Sequence, residues 1–284
     1  MITVVKAPIV ATVQDLGRRG HRALGVPPSG AMDGSALVAT NVCVGNAPGA
    51  AALEIALGGG ELRFESATLI ATGGARLLGM LGDRSVEPWV PIPVQRGEVL
   101  RIDRIVEGQF AYLAVHGGID VPIVLGSRST LMSAQLGGYE GRRLMHGDVL
   151  HLADDVASGP GPVPPMLYDD DVPIPIVAGP QAAQFSDAAW AALLQCTFGV
   201  SRFSSRAGYR FEGMPIVHDI PTDRPSEPTC VGAIQIPSGG TPIVLMPDGP
   251  TVGGYPKIAV VRERALGMLA QRSPGDRVRF VLDE

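Results

Sequence analysis

The segment Arg96-Gly-Glu-Val-Leu-Arg-Ile102 decides how this sequence folds, because two similar segments follow it along the chain. They read His146-Gly-Asp-Val-Leu-His-Leu152 and Pro274-Gly-Asp-Arg-Val-Arg-Phe280. In each, a glycine and an acidic residue predict a turn. Apolar and polar residues then alternate, as they do on an antiparallel strand with one buried face. The segments therefore predict barrel-forming strands that begin with the same turn, and their unequal spacing is not that of a solenoid repeat.

Turn residues are frequent throughout the sequence, which has 37 glycines and 25 prolines among 284 residues. This density favours many short strands over long helices, so a mainly β fold is expected. The predicted strands are Ile2–Val5, Leu53–Leu57, Glu61–Phe64, Thr68–Thr72, Val99–Ile102, Phe110–Val115, Asp148–Leu152, Ile174–Val177, Gly232–Ile236, Ile243–Met246, Lys257–Val261 and Arg277–Leu282. Two helices are predicted: Asp33 caps one that runs to about Val44, and Ser186 or Asp187 caps the other.

A proline-rich stretch, Ser158-Gly-Pro-Gly-Pro-Val-Pro-Pro165, followed by the acidic residues 169–171, divides the sequence. Segments of this composition commonly link domains. We therefore expect two mostly-β domains with a few short helices, an N-terminal one over residues 1–160 and a C-terminal one over residues 170–284, joined near residues 158–172.

Composition argues against several classes of function. The net charge of −5 and the absence of any run of Lys and Arg disfavour nucleic-acid binding. No apolar window approaches the roughly 18 residues of a membrane span, and no signal-peptide pattern begins the sequence, so a cytoplasmic protein is expected. The three cysteines are widely spaced, and His146 and His151 would point to opposite faces of a strand. We expect no metal site.

The segment Asp248-Gly-Pro-Thr-Val-Gly-Gly-Tyr-Pro-Lys257 combines an acid, an aromatic hydroxyl and a cation on a stiff, glycine-broken turn. Adjacent glycines allow a ligand to approach the backbone closely, and the flanking prolines restrict its motion. This arrangement is typical either of a functional site or of a structured β-turn with polar decoration. Its candidate functional residues are Asp248, Gly253, Gly254, Tyr255 and Lys257.

A second group lies near the N-terminus, in Thr12-Val-Gln-Asp-Leu-Gly-Arg-Arg-Gly-His21 and the segment that follows. Gln14, Asp15 and Arg18 share one short segment that we expect to be irregular. Ser29 precedes a predicted helix whose first amides could bind an anion. The structural alternative is a local Asp15–Arg18 ion pair together with turn and capping residues.

Two further groups contain arginine. In Leu125-Gly-Ser-Arg-Ser-Thr130, hydroxyls surround Arg128, whose guanidinium could hold a carboxylate or phosphate, unless this is a solvated loop. Arg206 and Arg210 are four residues apart and would face the same way on an extended strand. Glu227 is either their counter-ion or, with Gln235, part of a binding site.

In this order, these segments resemble a carboxyltransferase-type family that includes allophanate hydrolase subunit 2, KipA and PxpC, the third subunit of bacterial 5-oxoprolinase. The resemblance covers essentially the whole chain. Its strongest segments are Thr12–Gly20, Gly25–Asp33, Asn41–Asn46, Leu53-Glu54, Arg206–Gly213, Gly232–Pro237 and Gly253–Lys257. Members of the family often carry Arg or His after the aspartate of the last group, where this sequence has Gly249, and this puts the substrate preference in doubt.

The resemblance implies a cyclophilin-like β architecture and a KipI-like partner (allophanate hydrolase subunit 1, or the B subunit of 5-oxoprolinase) with which the chain forms a composite site. It implies action on a small amide or lactam, as in ATP-dependent 5-oxoproline hydrolysis or allophanate and urea chemistry. The alternatives are a regulatory subunit that sequesters a KipI-like kinase inhibitor, and a carboxyltransferase component of a biotin-dependent carboxylase. The sequence has no biotinyl-lysine motif and no recognisable ATP-binding loop, so the complex is expected to handle ATP or carboxy-biotin.

These considerations give specific expectations for residue roles. The expected catalytic residues are Asp248, Lys257, Tyr255, Asp15 and Arg18. The expected substrate-binding residues are Gln14, Ser29, Arg128, Arg206, Arg210, Glu227, Gln235, Gly253 and Gly254. Lys257, Arg18 and Arg128 would stabilise negative charge, Asp248 or Asp15 would act as general base, and Tyr255 would orient the substrate.

Overall fold

A computed structural model of the protein describes residues 1–169, 171–218, 220–221 and 224–283. The chain forms two compact units. The N-terminal unit consists of Met1–Arg19 and Ser29–Leu167, and the C-terminal unit of Gly20–Pro28 and Tyr168–Glu284.

Two features of this division were not evident from the sequence. Residues 20–28 group with the C-terminal unit although they lie within the expected range 1–160. The proline-rich stretch is not a free linker, because the amide nitrogen of Gly161 donates to the carbonyl of Cys43 and that of Val163 to the carbonyl of Trp89. These bonds attach the stretch to the N-terminal unit, and the chain leaves this unit after Leu167.

The N-terminal unit is built on one antiparallel sheet. Its strands are β1 (Ile2–Lys6), β2 (Val10–Gln14), β3 (Ala52–Ala56), β4 (Glu61–Phe64), β5 (Thr68–Leu81), β6 (Arg84–Ser85), β7 (Ile92–Val94), β8 (Val99–Val115), β9 (Ile119–Asp120) and β10 (Val149–Leu152). Within the described residues the order is β2-β3-β8-β4-β1-β10-β9, with β5 paired to β6, β7 and β8. Because β8 is long enough to pair with β3, β4 and β5, the sheet curls into a nearly closed barrel.

The alternation of apolar residues decides which face of this sheet is buried. On β1, Ile2 and Val4 are fully buried, and the residues beside them are not. Helix α1 (Gly34–Cys43) begins at Asp33, whose carboxylate accepts a hydrogen bond from the amide of Ala36, as predicted. Its apolar residues pack on a separate cluster around the fully buried Tyr112.

The hydroxyl of Tyr112 links this helix to the sheet. It donates to the buried carboxylate of Glu54 at 2.8 Å and accepts from the amide of Asp33 at 2.8 Å. Burial and the two neighbouring carboxylates raise the pKa of Tyr112 well above its usual value, so the hydroxyl keeps its proton. The carboxylate of Glu54 also accepts from the amide of Met32 at 2.8 Å.

The C-terminal unit is also mainly β. Its strands are β11 (Ile174–Ala178), β12 (Phe198–Val200), β13 (Gly208–Glu212), β14 (Glu227–Pro228), β15 (Ala233–Gln235), β16 (Ile243–Leu245), β17 (Val252–Gly253), β18 (Lys257–Val261), β19 (Arg277–Val278) and β20 (Phe280–Leu282). In the described part of the chain the main sheet has the order β19-β12-β13-β16-β15-β18-β11-β20, and β14 pairs with β17. Helices α2 (Asp187–Gln195) and α3 (Leu266–Ala270) accompany the sheet. Ser186 caps α2, as predicted, whereas α3 was not predicted.

The three predicted Gly-acid turns share one geometry. Each glycine has a left-handed φ, of 86°, 89° and 96° in chain order. Each acid accepts a hydrogen bond from the backbone amide three residues before it, at 2.6, 2.7 and 2.6 Å. The glycines are Gly97, Gly147 and Gly275, and the acids are Glu98, Asp148 and Asp276. The recurring segment is therefore a turn that begins β8, β10 and β19, which confirms the interpretation as strand starts.

The prediction of a mainly β fold with barrel-like sheets and a few short helices is confirmed. Several details differ, and β6, β7, β9, β12, β13, β14 and β17 lie outside the predicted strands. The segment around Gln14 was expected to be irregular but forms β2, and the two segments predicted at 99–102 and 110–115 are one continuous strand, β8. Strand β5 extends nine residues beyond its predicted end, to Leu81. Among the residues that the structure describes, no helix is long and apolar enough to span a membrane.

Candidate functional site

Two pairs of strands bring the most distinctive polar cluster together, in the C-terminal unit. Strand β14 pairs with β17, which places Glu227 opposite Gly253. Strand β15 pairs with β18, which places Gln235 opposite Lys257. Residues directly opposite each other on antiparallel strands have side chains on the same face. We call Gln181, Arg224, Glu227, Gln235, Gly253 and Lys257 the lysine cluster.

Lys257 is the buried cation of this cluster. Its side chain is 4% exposed, and its Nζ lies 3.4 Å from Oε2 of Glu227. Burial of an ammonium group is costly unless a partner compensates it, so this contact is a requirement of the fold at this position. Gln181 connects both residues: its Oε1 accepts from the Lys257 amide at 3.0 Å, and its Nε2 donates to Oε2 of Glu227 at 2.9 Å.

A second cation also binds Glu227. The guanidinium of Arg224 donates to Oε1 of Glu227 at 2.9 Å and to Gln184 at 2.7 Å. The hydrogen bond from Arg224, followed by the charge of Lys257, lowers the pKa of Glu227 below its usual value. Among the described residues, the lysine cluster thus has two cations and one carboxylate, and its net charge is positive.

Gln235 is the unusual member of the cluster. Its side chain is buried, with 4% of the residue exposed, and its Nε2 has no hydrogen-bond partner in the part of the chain that the structure describes. A Cβ atom added to Gly253 would lie 2.8 Å from this nitrogen, and the next nearest atom, Cγ2 of Thr229, would be 3.4 Å away. The amide nitrogen therefore packs closely against Gly253, and a methyl group at this position would clash with it.

The remaining predicted residues of this loop have different environments. Tyr255 is 42% exposed, so its hydroxyl is accessible. A Cβ atom on Gly254 would lie 3.1 Å from the carbonyl oxygen of Arg224, so the loop passes close to the segment before β14. The structure thus brings Gly253, Gly254 and Lys257 together with Glu227 and Gln235.

Asp248 belongs to a separate ion pair. Its carboxylate binds Arg206 through two contacts, of 2.7 Å to Nε and 3.0 Å to Nη2, and both side chains are about nine-tenths buried. The sequence-based expectation for Arg206 needs correction in two respects. It lies in the turn before β13 and not on a strand with Arg210, and its counter-ion is Asp248 and not Glu227. Arg210 lies on β13 and is exposed.

The turn after Asp248 explains the glycine at position 249. A Cβ atom there would lie 2.7 Å from the carbonyl oxygen of Ala207 and 2.9 Å from that of Met246. Real Cβ atoms do not approach backbone oxygens this closely, so a side chain at position 249 requires the turn to move. Where similar proteins often carry Arg or His, this chain has a glycine, and the backbone of Ala207 and Met246 packs closely against it.

In the N-terminal unit, Asp15 organises two loops. Its carboxylate accepts hydrogen bonds from the amide of Gly17 at 2.8 Å, the hydroxyl of Ser127 at 2.7 Å, the amide of Arg128 at 2.6 Å and the hydroxyl of Ser129. Three of these donors bond Oδ1 and one bonds Oδ2, so the carboxylate holds the two loops together. The geometry favours a structural role for Asp15.

The side chain of Arg128 is directed away from these hydroxyls. It donates to the carbonyl of Val121 at 3.1 Å and pairs with Asp120 at 3.2 Å and Asp155 at 3.3 Å. The hydroxyl cluster expected around its guanidinium is instead oriented towards Asp15.

Gln14, Arg18 and Ser29 are buried and make contacts with backbone atoms of the loop around residue 130. Nε2 of Gln14 donates to the carbonyl of Thr130 at 3.1 Å, and the hydroxyl of Ser29 donates to the same carbonyl at 2.8 Å. Arg18 is fully buried and donates to the carbonyl of Ser129. These contacts join three chain segments within the N-terminal unit.

Sequence reasoning missed Gln181, Arg224 and Arg22. Arg22 lies in the short segment that groups with the C-terminal unit and donates to both oxygens of Thr229, at 2.8 and 2.9 Å, and to the carbonyl of Pro250 at 3.3 Å. It thereby holds the ends of β14 and β17 together. No local pattern marks Gln181 and Arg22, because their partners lie between 46 and 228 positions away, whereas Arg224 lies three residues from Glu227.

Residues 24–282 match the family model of the carboxyltransferase domain, subdomain A and B. The chain therefore belongs to the carboxyltransferase domain family.

Two curated relatives are similar over nearly the whole chain. It is 38% identical over 282 residues to the C subunit of 5-oxoprolinase from Haemophilus influenzae, and the match covers 99% of this chain and 90% of that protein. It is 37% identical over 284 residues to the corresponding 5-oxoprolinase protein of Escherichia coli, with 99% and 91% covered. These names describe subunits of an enzyme that has more than one subunit.

A solved structure of a larger enzyme is similar as well. The crystal structure of the Kluyveromyces lactis urea carboxylase matches with a TM-score of 0.93 and 33% identity. The match covers 100% of this chain and 27% of that one. The chain thus spans about a quarter of the urea carboxylase.

Proposed function

We propose that this chain is a subunit of a cytoplasmic enzyme complex that opens a small amide or lactam, with 5-oxoproline as the first substrate to test. The observation that carries the proposal is the lysine cluster, in which the buried cation of Lys257 lies opposite Gln235, whose buried amide nitrogen has no partner within the described residues. The similarity to two 5-oxoprolinase subunits supports the choice of a lactam.

The chemistry of amide opening fits the groups in this cluster. The carbonyl must be polarised, and the negative charge that develops on its oxygen must be stabilised. The ammonium of Lys257 supplies a fixed positive charge, and the exposed hydroxyl of Tyr255 can orient a substrate beside it. Asp248 is less suited to act as a base, because both of its carboxylate oxygens accept from Arg206.

Other subunits of the complex would supply the ATP-binding site, because the sequence has no recognisable ATP-binding loop. We propose that a KipI-like partner completes the site and that ATP is handled within the complex. Val252 and Tyr255, next to the lysine cluster, are 54% and 42% exposed, which leaves apolar and aromatic surface for a partner.

The proposal is tested by co-expressing the chain with its KipI-like partner and measuring ATP hydrolysis that depends on 5-oxoproline or on urea. Lys257→Met should lower kcat by about 10²–10³, the usual cost of removing one group that stabilises the developing oxyanion. Arg264→Met is the matched control, because this side chain is 65% exposed and pairs with Asp283 outside the cluster. Full activity of Lys257→Met would contradict the proposed role.

A carboxyltransferase component of a biotin-dependent carboxylase is the second candidate, favoured by the similarity to urea carboxylase. It predicts urea-dependent ATP hydrolysis only when a biotin carboxylase and its biotinylated carrier are added. Activity with 5-oxoproline in the absence of biotin would exclude it.

A further inference from the structure

We propose that Gln181 is a positioning residue, which fixes the backbone of Lys257 and the carboxylate of Glu227 and so determines where the ammonium of Lys257 lies. The inference rests on the proposed function for what that ammonium does to the substrate. That Gln181 holds it in place follows from contacts within the C-terminal unit.

A β-bulge decides which face of the sheet Lys257 occupies. Along β15 and β18, Ile234 lies opposite Ala259 and Gln235 lies opposite Lys257. One step on β15 thus corresponds to two steps on β18, and Ile258 is the additional residue. Bulges redirect the side chains beside them. A regular register would put the apolar Ile258 opposite Gln235, so the bulge is what brings Lys257 into the lysine cluster.

Gln181 holds the backbone at this bulge. Its own amide donates to the carbonyl of Lys257 at 3.2 Å, and its side-chain Oε1 accepts from the amide of Lys257 at 3.0 Å. Gln181 therefore binds both backbone polar groups of Lys257, as a residue opposite it on an antiparallel strand would. The segment before Gln181 also approaches the bulge closely, because a Cβ atom added to Gly179 would lie 2.8 Å from the amide nitrogen of Ala259.

The side chain of Gln181 also fixes Glu227. Its Nε2 donates at 2.9 Å to Oε2 of Glu227, the same oxygen that the ammonium of Lys257 faces. Nζ of Lys257 is 3.4 Å from that oxygen, which is longer than the roughly 2.7–3.2 Å of an ordinary hydrogen bond. This contact constrains the ammonium weakly. Its position therefore depends on how firmly Glu227 and the backbone of Lys257 are held, and Gln181 binds both.

The composition of the chain makes the position of this ammonium measurable. The sequence contains two lysines, Lys6 and Lys257. Lys6 is exposed and Lys257 is buried, so Lys6 serves as an internal reference. The full chain is treated with acetic anhydride at a temperature below its Tm, and acetylation of each lysine is followed by mass spectrometry. The ratio of the two rates reports how often the ammonium of Lys257 leaves its buried position.

Gln181→Met removes both side-chain hydrogen bonds and keeps the length of the side chain. It should raise the acetylation rate of Lys257 relative to Lys6 about ten-fold, because the opening equilibrium loses two buried hydrogen bonds. Gln181→Glu keeps the acceptor for the Lys257 amide and loses the donor to Glu227. Its acetylation ratio should lie between those of the wild type and Gln181→Met.

The matched control separates positioning from a general loss of stability. Tyr209→Phe removes a buried hydrogen bond of 2.6 Å to the carbonyl of Ala270, and Tyr209 is not a member of the lysine cluster. This variant should be less stable than the wild type and yet have the same ratio of Lys257 to Lys6 acetylation.

A double-mutant cycle tests whether the position of the ammonium matters for the reaction. In the complex with the KipI-like partner, Gln181→Met should lower kcat for 5-oxoproline about ten-fold and leave KM unchanged, because a displaced cation stabilises the developing oxyanion less well. In a Lys257→Met background the same substitution should have no further effect, since a positioning residue acts through the group that it positions.

Two results would overturn the inference. One is an unchanged acetylation ratio in Gln181→Met, and the other is an equal fold loss of kcat from Gln181→Met with and without Lys257. The proposed function fails separately, if Lys257→Met is fully active or if the complex never hydrolyses 5-oxoproline. The acetylation ratio decides on Gln181 in that case too, because it needs no turnover.

Discussion

Gln235→Met should make the protein more stable. In the structure the Gln235 amide is buried, and its Nε2 has no partner within the described residues. Leaving a buried polar group unpaired costs about 1–3 kcal/mol of folding free energy. Methionine has the same chain length without the amide, so it removes this cost and creates little empty volume.

The expected change in stability follows from the folding free energy that the unpaired amide of Gln235 costs. If methionine recovers about 1 kcal/mol of the cost, the Tm of the protein should rise by about 2–4 °C, the usual shift for a domain of 150–250 residues. The free energy of unfolding is measured by urea denaturation and the Tm by calorimetry, both without ligand. Gln195→Met, on the exposed side of α2, is the control and should change stability by less than about 0.5 kcal/mol. A variant that is less stable than the wild type without ligand would refute the reasoning, because the amide of Gln235 would then have a partner in the free protein.

Three other predictions concern the surroundings of the cluster and the core. Tyr112→Phe should lower the free energy of unfolding by about 1–3 kcal/mol in urea, because the buried Glu54 loses a donor; unchanged stability would contradict this. The lowered pKa of Glu227 means that its pairing with Arg224 stabilises the fold above about pH 4.5, the usual pKa, and is lost as pH falls through the lowered value. The difference in stability between wild type and Glu227→Gln should therefore shrink between pH 5 and pH 3, by an acid titration of the urea midpoint, and a constant difference would be contrary evidence. Gly249→Arg should destabilise the turn by about 1–3 kcal/mol, by the same urea measurement, and a variant as stable as the wild type would show that the turn can open.

Local chemistry made part of the fold predictable. A glycine followed by an acid gives the same left-handed turn at Gly97, Gly147 and Gly275, because both the backbone conformation and the carboxylate acceptor lie within four residues. The caps at Asp33 and Ser186 were predictable for the same reason. These turns and caps are determined by residues that are close together in the sequence.

Other elements depend on distant residues and could not be predicted. Strand β2 contains Thr12 and Gln14, which are polar yet buried because Gln14 bonds to the carbonyl of Thr130, 116 positions away. The middle of β8 is mostly polar, which predicts two separate strands, but β5 pairs with β8 along most of its length. In both cases tertiary pairing overrides the local pattern.

The candidate site shows the same limit within one segment. The sequence presents Asp248–Lys257 as a single functional loop, but the structure divides it. Asp248 pairs with Arg206, and Gly249 packs against the backbone of Ala207, whereas Gly253 and Lys257 face Glu227 and Gln235.

This division changes what the difference at Gly249 implies. The polar groups of the lysine cluster come from β14, β15, β17 and β18, and Gly249 lies on none of these strands. Its neighbours are instead the backbone oxygens of Ala207 and Met246. The difference at position 249 therefore bears on the turn that holds the Arg206–Asp248 pair and not on the polar groups of the lysine cluster.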